Sequence, residues 1–354
     1  MSERIPTEPI GSVPRPAELI AALSAKQTGR ISAAEFNQVA ENALRDTIRR
    51  FEATGSPVIT DGEQTKPSFA TYPLDGASNI APGGVVIPFA DGHTRQLPKL
   101  TSGPFRYGTY ARQYLAAAKR LTASPLKQAV ISASALSLLY PDPPIPGYPR
   151  EAFLADLTDE SASDIRGCLE NGADSVQIDF TEARLSLKLD PSGGLLENFV
   201  ALNNSVLERF TAEERSRIGV HTCPGGDQDA THSADVDYAG LLPVLFRLRT
   251  GRFYVQLASE KEPERVLAII RKHVMPGQVV FVGVIDPISP VVESPEQVRD
   301  RILQAGQFLP AGQLGSTDDC GFAPFADDTS TSRELAFAKI RARVEGTSLA
   351  ERLL

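Results

Sequence analysis

Residues 217–225 read RIGVHTCPG, a short β-rich run with His221 and Cys223 at its carboxyl end. Successive side chains of a strand point to opposite faces, so residues i and i+2 share a face. His221 and Cys223 can therefore bind one ion from a single strand end, with the nitrogen and sulfur donors that zinc prefers. Cys320, in STDDCGF much later in the chain, offers a third donor of the same kind.

The same rhythm of a β-rich run, a loop and a helical pattern recurs along the chain and gives eight predicted strands. The predicted strands are residues 4–10, 57–60, 127–132, 174–178, 217–220, 252–257, 278–284 and 313–316. The predicted helices are residues 33–53, 108–121, 150–171, 195–210, 238–248, 263–273, 295–305 and 332–344. Eight such alternations favour an α/β fold of the (β/α)8 TIM-like barrel type, formed by residues 1–354 as one domain. A doubly wound sheet is the alternative, but no G-x-G-x-x-G motif follows a strand.

One segment interrupts the rhythm. Residues 67–106 contain SNIAPGGVVIPFADGHTRQLPKL, which predicts a β-hairpin insertion after the second strand with Asp91 and Gly92 at its turn. Such an insertion would lie on the C-terminal rim of the barrel, where enzymes of this fold keep their active sites.

Composition limits the partners. The net charge is −8 without a Lys/Arg-rich block, which argues against nucleic acid or an anionic membrane as a partner. No apolar run is long enough to span a bilayer, and MSERIPTEPIGS lacks the apolar core of a signal peptide, so we expect a cytoplasmic protein. Three widely spaced cysteines in 354 residues do not make a disulfide framework, and Cys168 is expected to be inert core.

Polar and small residues follow the predicted strands directly. Any single one could be a turn former or a helix cap, but in a barrel all of these positions converge on one cavity. The residues at the strand ends are Ile10, Gly11, Ser12, Asp61, Gly62, Glu63, Asp179, His221, Cys223, Gln256, Glu260, Asp286, Asp318, Asp319 and Cys320.

His221, Cys223 and Cys320 allow three interpretations. The first is a zinc site, because a catalytic zinc takes three protein ligands and keeps one position open. The second is a Cys223 nucleophile activated by His221, and the third is a buried histidine beside core thiols. We favour zinc, and we add His232, in the polar loop DATHSADVD, as a histidine that could reach the same cavity.

Several motifs together resemble the catalytic domain of the cobalamin-independent methionine synthases and its shorter relatives, in the same order and with the same spacing. The motifs are IGSVPRP, TDGEQ, VQIDF, IGVHTC, GVIDPISPVVESPEQVRDRI, DDCGF and AFAKIRARV. The resemblance implies zinc-dependent alkyl transfer to a thiol, with His221, Cys223 and Cys320 as zinc ligands. It also implies a glutamate ligand near strand six, where Gln256 fills the slot and Glu260 lies four residues on. Because a carboxylate is the better zinc ligand, we assign Glu260.

The resemblance also implies a set of contacts to the amino-acid substrate, namely Ile10, Gly11, Ser12, Glu63 and Asp179. A carboxylate suits an ammonium group, and backbone amides suit a carboxylate. Two departures concern the other substrate: Ile288 in DPISP stands where the family has a histidine proton donor, and the chain contains no tryptophan to stack on a folate.

We therefore expect methyl or alkyl transfer to a thiol, most simply homocysteine, to give methionine. The donor could be methyl-folate, a methylated corrinoid or an epoxide, and the thiol could instead be another one such as coenzyme M. His232 or Asp286 would protonate the leaving group in place of the family's histidine. Two other classes remain open: a hydrolase in which zinc activates water, and a non-catalytic zinc-binding protein.

Overall fold

The structure, a computed structural model, describes residues 4–354. Its strands are β1 (Ile80–Ala81), β2 (Val86–Pro88), β3 (Thr94–Gln96), β4 (Lys99–Leu100), β5 (Lys127–Ile131), β6 (Ser175–Asp179), β7 (Ile218–Thr222), β8 (Gly226–Asp227), β9 (Ala230–Thr231), β10 (Arg252–Val255), β11 (Val279–Ile285) and β12 (Leu314–Asp318). Six of them pair in parallel in the order β12-β11-β10-β7-β6-β5. These six correspond to predicted strands three to eight, each within a few residues.

Helices cover this sheet, as expected where parallel strands are buried on both faces. The helices are α1 (Ala17–Gln27), α2 (Ala33–Ala53), α3 (Ala111–Lys119), α4 (Ala133–Ser137), α5 (Arg150–Glu170), α6 (Glu182–Leu189), α7 (Gly194–Leu207), α8 (Ala212–Ser216), α9 (Tyr238–Leu245), α10 (Pro263–His273), α11 (Pro295–Gly306) and α12 (Arg333–Glu351), with 3₁₀ turns at Tyr72–Leu74 and Ala311–Gln313. All eight predicted helices are present, and α1, α4, α6 and α8 are additional. Within residues 4–354, no helix combines the length and the apolar character needed to cross a membrane.

The first two predicted strands are not regular strands. Residues 4–10 meet β12 only through a parallel bridge from Thr7 to Ser316, and residues 57–60 meet β5 through a bridge from Ile59 to Leu126. Proline explains the first case, because Pro6 and Pro9 have no N–H to extend a ladder. The two segments still flank the sheet at opposite edges. The amide of Val13 donates to the carbonyl of Gly62 at 3.1 Å, so the loops that follow the two segments are joined at the rim.

The predicted hairpin insertion is confirmed. β2 pairs antiparallel with β3, and β1 pairs antiparallel with β4, so one hairpin is nested in the other. Gly92 lies at the inner turn with φ 94°, a conformation that favours glycine. Arg95 of β3 binds both carboxylate oxygens of Asp227 in β8, at 2.5 and 3.1 Å, which ties the hairpin to the loop after β7.

Candidate active site

The parallel register of the sheet places the site residues side by side. Asp179, the last residue of β6, lies opposite His221 of β7, and His221 lies opposite Tyr254 of β10. Cys223 follows β7 directly, and Cys320 follows β12 by two residues. Carboxyl ends of parallel strands meet at one rim, so residues far apart in the sequence become neighbours.

His221, Cys223 and Cys320 form one compact group. A ligand atom from each lies within 4.8 Å of the others, and the two sulfur atoms are 3.0 Å apart. Nδ1 of His221 lies 3.3 Å from the carbonyl oxygen of Tyr254, which can only accept, so Nδ1 carries the proton. The lone pair is then on Nε2, which is buried and has no hydrogen-bond partner among residues 4–354. A buried, unpartnered imidazole nitrogen beside two thiols fits a metal ion.

The two thiols of this group differ in their electrostatics. Burial raises the pKa of Cys223 well above the ordinary value for a thiol. A hydrogen bond from Cys223, followed by the proximity of His221, lowers the pKa of Cys320. Cys320 is therefore the more readily deprotonated thiol of the two, and a bound cation would favour deprotonation of both.

The structure does not bring Glu260 into the group. One carboxylate oxygen of Glu260 lies 2.8 Å from a guanidinium nitrogen of Arg184, and the amide oxygen of Gln256 lies 2.9 Å from the same nitrogen. Arg184 is almost fully buried and also donates to the carbonyls of Ala234 and Val236. Both candidates for a fourth metal ligand, Glu260 and Gln256, are thus bound to Arg184.

All five predicted substrate-binding residues line one inner cavity of about 80 Å³, together with His221 and Cys320. Glu63 pairs with buried Lys66 at 3.0 Å, and Lys66 also donates to the carbonyl of Ala129. Burial raises the pKa of Glu63 to about 7 although Lys66 opposes the shift. Asp179 accepts a hydrogen bond from Gln177 at 2.7 Å, and burial raises its pKa too.

Much of the remaining lining of the inner cavity is apolar, which the sequence pattern did not indicate. The hairpin forms one wall, and α4, α6 and loops near the barrel rim form the others. The apolar lining includes Phe69, Ile87, Phe89, Leu97, Leu138, Leu185 and Phe325. The alternation VVIPF within the hairpin was the signal that one of its faces is buried, but it does not say against what.

A larger outer cleft, of about 880 Å³, adjoins the inner cavity. Asp286, Ile288 and Glu260 line this cleft and not the inner cavity. Both spaces are bordered by Gly226, His232 and Cys320. Cys320, one member of the compact His221–Cys223–Cys320 group, thus lies where the two spaces meet. A ligand in each space could therefore meet the other at the metal group.

His232 lies at this junction, but its environment disfavours the protonated form that could donate a proton. Burial, followed by the charges of Lys188 and Arg184, lowers the pKa of His232 to about 4. Its Nδ1 lies 2.9 Å from the hydroxyl of Ser233, and its ring packs against Gly225, where a Cβ would come within 1.8 Å of Nε2. At neutral pH His232 is therefore an uncharged ring held in a fixed orientation.

Known proteins similar to this chain carry consistent names. A 5-methyltetrahydropteroyltriglutamate–homocysteine methyltransferase from Nitratidesulfovibrio vulgaris is 24% identical over 329 residues, covering 90% of this chain and 39% of that protein. The chain thus spans about two fifths of the length of that relative. A methionine synthase from Pyrococcus furiosus is 20% identical over 322 residues, covering 90% of this chain and 86% of that protein. No protein-family model matches.

Among solved structures, a B12-independent methionine synthase from Shewanella sp. W3-18-1 in complex with selenomethionine superposes with a TM-score of 0.77 at 19% identity. The match covers 99% of this chain and 98% of that one, and it confirms the fold predicted from the strand rhythm. The similarity in sequence and in fold thus confirms the resemblance of this chain to the cobalamin-independent methionine synthases, over nine tenths of its length or more.

Proposed function

We propose that this protein transfers a methyl group to the thiol of homocysteine, giving methionine, with a zinc ion held by His221, Cys223 and Cys320. One observation carries the proposal: the metal-binding group opens onto the cavity that contains every residue expected to contact the amino acid. Metal and amino-acid sites that share a cavity can act on the same molecule.

The donor set of the group suits zinc. Two sulfur atoms and one imidazole nitrogen are ligands that zinc takes in tetrahedral sites, and one further position is left for a substrate. Zinc bound there would lower the pKa of a coordinating thiol and so supply a thiolate nucleophile at neutral pH. Two cysteine ligands donate charge to the metal, which favours thiolate reactivity over activation of water.

The residues around the group would bind and orient the acceptor. Asp179 and Glu63 offer carboxylates for its ammonium group. The amides of Gly11 and Ser12 have no hydrogen-bond acceptor within residues 4–354, so they are free to bind its carboxylate. Binding at both ends would point the thiol of a short amino acid at Cys320 and His221. The selenomethionine in the Shewanella structure shows that a relative of this fold holds a product-like amino acid.

The methyl donor would occupy the outer cleft. The cleft is far larger than the inner cavity, and the name of the Nitratidesulfovibrio relative specifies a folate donor. His232 and Asp286 both border the cleft and are the residues we propose for protonation of the leaving group. His232, uncharged at neutral pH in the free protein, would take up its proton when an anionic donor enters the cleft, because a nearby negative charge raises the pKa of an imidazole. Turnover of a His232→Ala variant at the wild-type rate would contradict the assignment of His232.

Metal analysis and a thiol-dependent assay test the proposed function. Protein purified without chelator should contain about one zinc per chain, and turnover of methyl-folate should require homocysteine. X-ray absorption at the zinc edge should show an added Zn–S contact when homocysteine binds. Absence of that contact with every thiol tested would contradict the proposal, and hydrolytic turnover without a thiol would favour a zinc hydrolase instead.

A further inference from the structure

Glu182, the first residue of α6, is a buried carboxylate in the wall of the inner cavity that the proposed function does not use. Its Oε1 accepts hydrogen bonds from the hydroxyls of Ser132 and Ser134. Its Oε2 is buried and has no partner among residues 4–354. Because a buried carboxylate oxygen without a partner is costly, an unpaired Oε2 suggests that a ligand completes it.

The charged groups around the cavity also leave negative charge without a cationic partner. Lys66 pairs with Oε1 of Glu63, and Arg95, the guanidinium that lines the cavity, is already paired with Asp227. Neither Asp179 nor Glu182 has a lysine, arginine or histidine nitrogen within 4.0 Å in the described part of the chain. Lys66 and His221 are still near enough to act on Asp179, so Glu182 is the buried carboxylate that faces the cavity without a cation beside it.

The environment of Glu182 is consistent with a missing cation. Burial raises its pKa to about 7, and the charge of Asp179 adds to this shift. A ligand cation between Glu182 and Asp179 would lower the pKa of Glu182 again, because a positive charge favours the ionised form of each carboxylate. Apolar walls would strengthen the attraction by excluding water.

We propose that Glu182 joins Asp179 and Glu63 in binding the ammonium group of the acceptor amino acid, and that Glu182 is a specificity residue for amino-acid thiols over thiols without an amino group. This inference rests on the proposed function. Ser132 and Ser134 position Glu182 by holding Oε1, which leaves Oε2 as the oxygen available to a ligand.

Calorimetric binding to the zinc-loaded protein tests the inference with two probes, L-methionine and 4-(methylthio)butyrate, which lacks the ammonium group. Wild-type protein should bind L-methionine more tightly. Glu182→Gln should weaken L-methionine binding about tenfold, as expected for the loss of one charged hydrogen bond, and should leave 4-(methylthio)butyrate binding unchanged. Glu160→Gln, a buried glutamate outside the cavity, should affect neither probe.

Three outcomes would overturn the inference: equal binding of both probes by the wild type, unchanged L-methionine binding by Glu182→Gln, or an equal loss for both probes. Should Glu182→Gln fold poorly, Ser134→Ala keeps the carboxylate and should give a smaller loss confined to L-methionine. Failure of the proposed function would show separately, as absent zinc or absent methyl transfer to homocysteine by the wild type.

Discussion

The sulfur atoms of Cys223 and Cys320 lie 3.0 Å apart, although 97 positions separate the two residues in the chain. Cys223 follows β7 and Cys320 follows β12, with β10 and β11 between these strands in the sheet. Curvature of the sheet is therefore what brings the thiols together. A metal bound between them would link two distant parts of the barrel and couple metal binding to folding.

Replacement of either proposed zinc-binding cysteine should abolish stoichiometric zinc binding. Cys223→Ser and Cys320→Ser each remove one of the three proposed ligands, and a hydroxyl is a poor substitute for a thiolate. Cys168→Ser is the matched control, because Cys168 is a buried cysteine in the last turn of α5, outside the proposed site. Elemental analysis of the purified proteins should give about one zinc for wild type and for the control. Equal zinc in all four proteins would rule out the site.

The strand ends were predictable because they follow a local rule. A β-rich run followed by a polar residue marks the rim of a barrel, and this rule led directly to Asp179, His221 and Cys223. Cys320 followed from the same rule applied to a weaker run. The register that pairs Asp179 with His221 could not be derived, since it depends on the sheet as a whole.

Other features of the site depend on contacts that no local pattern encodes. Glu182 begins α6, a helix that the sequence pattern did not predict, and its importance comes from two serines that are about fifty positions away. The ion pair between Glu260 and Arg184 is also nonlocal, spanning 76 positions. Residues 4–10 look like a strand by composition, but the prolines that prevent a ladder are within the same run.

Glu260→Gln tests the fourth metal position. With the carboxylate 2.8 Å from Arg184 and outside the metal-binding group, we expect this variant to retain zinc and to lose stability modestly, by about 1 kcal/mol, because the charged contact becomes a neutral one. Zinc content and thermal unfolding measure the two effects. A large loss of zinc would show instead that Glu260 leaves Arg184 to become the fourth ligand, as the sequence comparison with the family suggested.

Arg95→Ala should release the hairpin from the barrel rim. The side chain of Asp227 is fully buried and Arg95 is partly exposed, so removing the cation should cost about 2 kcal/mol, less than for a fully buried pair. The hairpin also forms a wall of the inner cavity, so the KM for the acceptor thiol should rise. Arg49→Ala, which breaks an exposed pair with Asp46, should cost less than about 0.5 kcal/mol and leave KM unchanged. Equal effects of the two variants would contradict the tethering role.

Asp164 should make the folded protein less stable as the pH rises, which is the opposite of the effect of an ion-paired carboxylate. It is a buried carboxylate in α5 that accepts hydrogen bonds from the hydroxyl of Tyr72 at 2.5 Å and from the amide of Ala111 at 2.7 Å. Burial raises its pKa to about 6, above the ordinary value of 3.8, although Lys66 and Arg112 act in the opposite sense. The folded state therefore holds this proton more tightly than the unfolded state does.

The sign follows from linkage: the stabilisation from the Asp164 proton is complete below about pH 4 and is lost as pH rises through about 6. A shift of about two units corresponds to roughly 3 kcal/mol. Asp164→Asn cannot titrate, so its stability relative to wild type should improve by up to that amount between about pH 4 and pH 7, measured by denaturant unfolding at each pH. Asp300→Asn, at an exposed position, should show no such change. A difference between Asp164→Asn and wild type that does not vary with pH would mean that Asp164 is not protonated in the folded protein over this range.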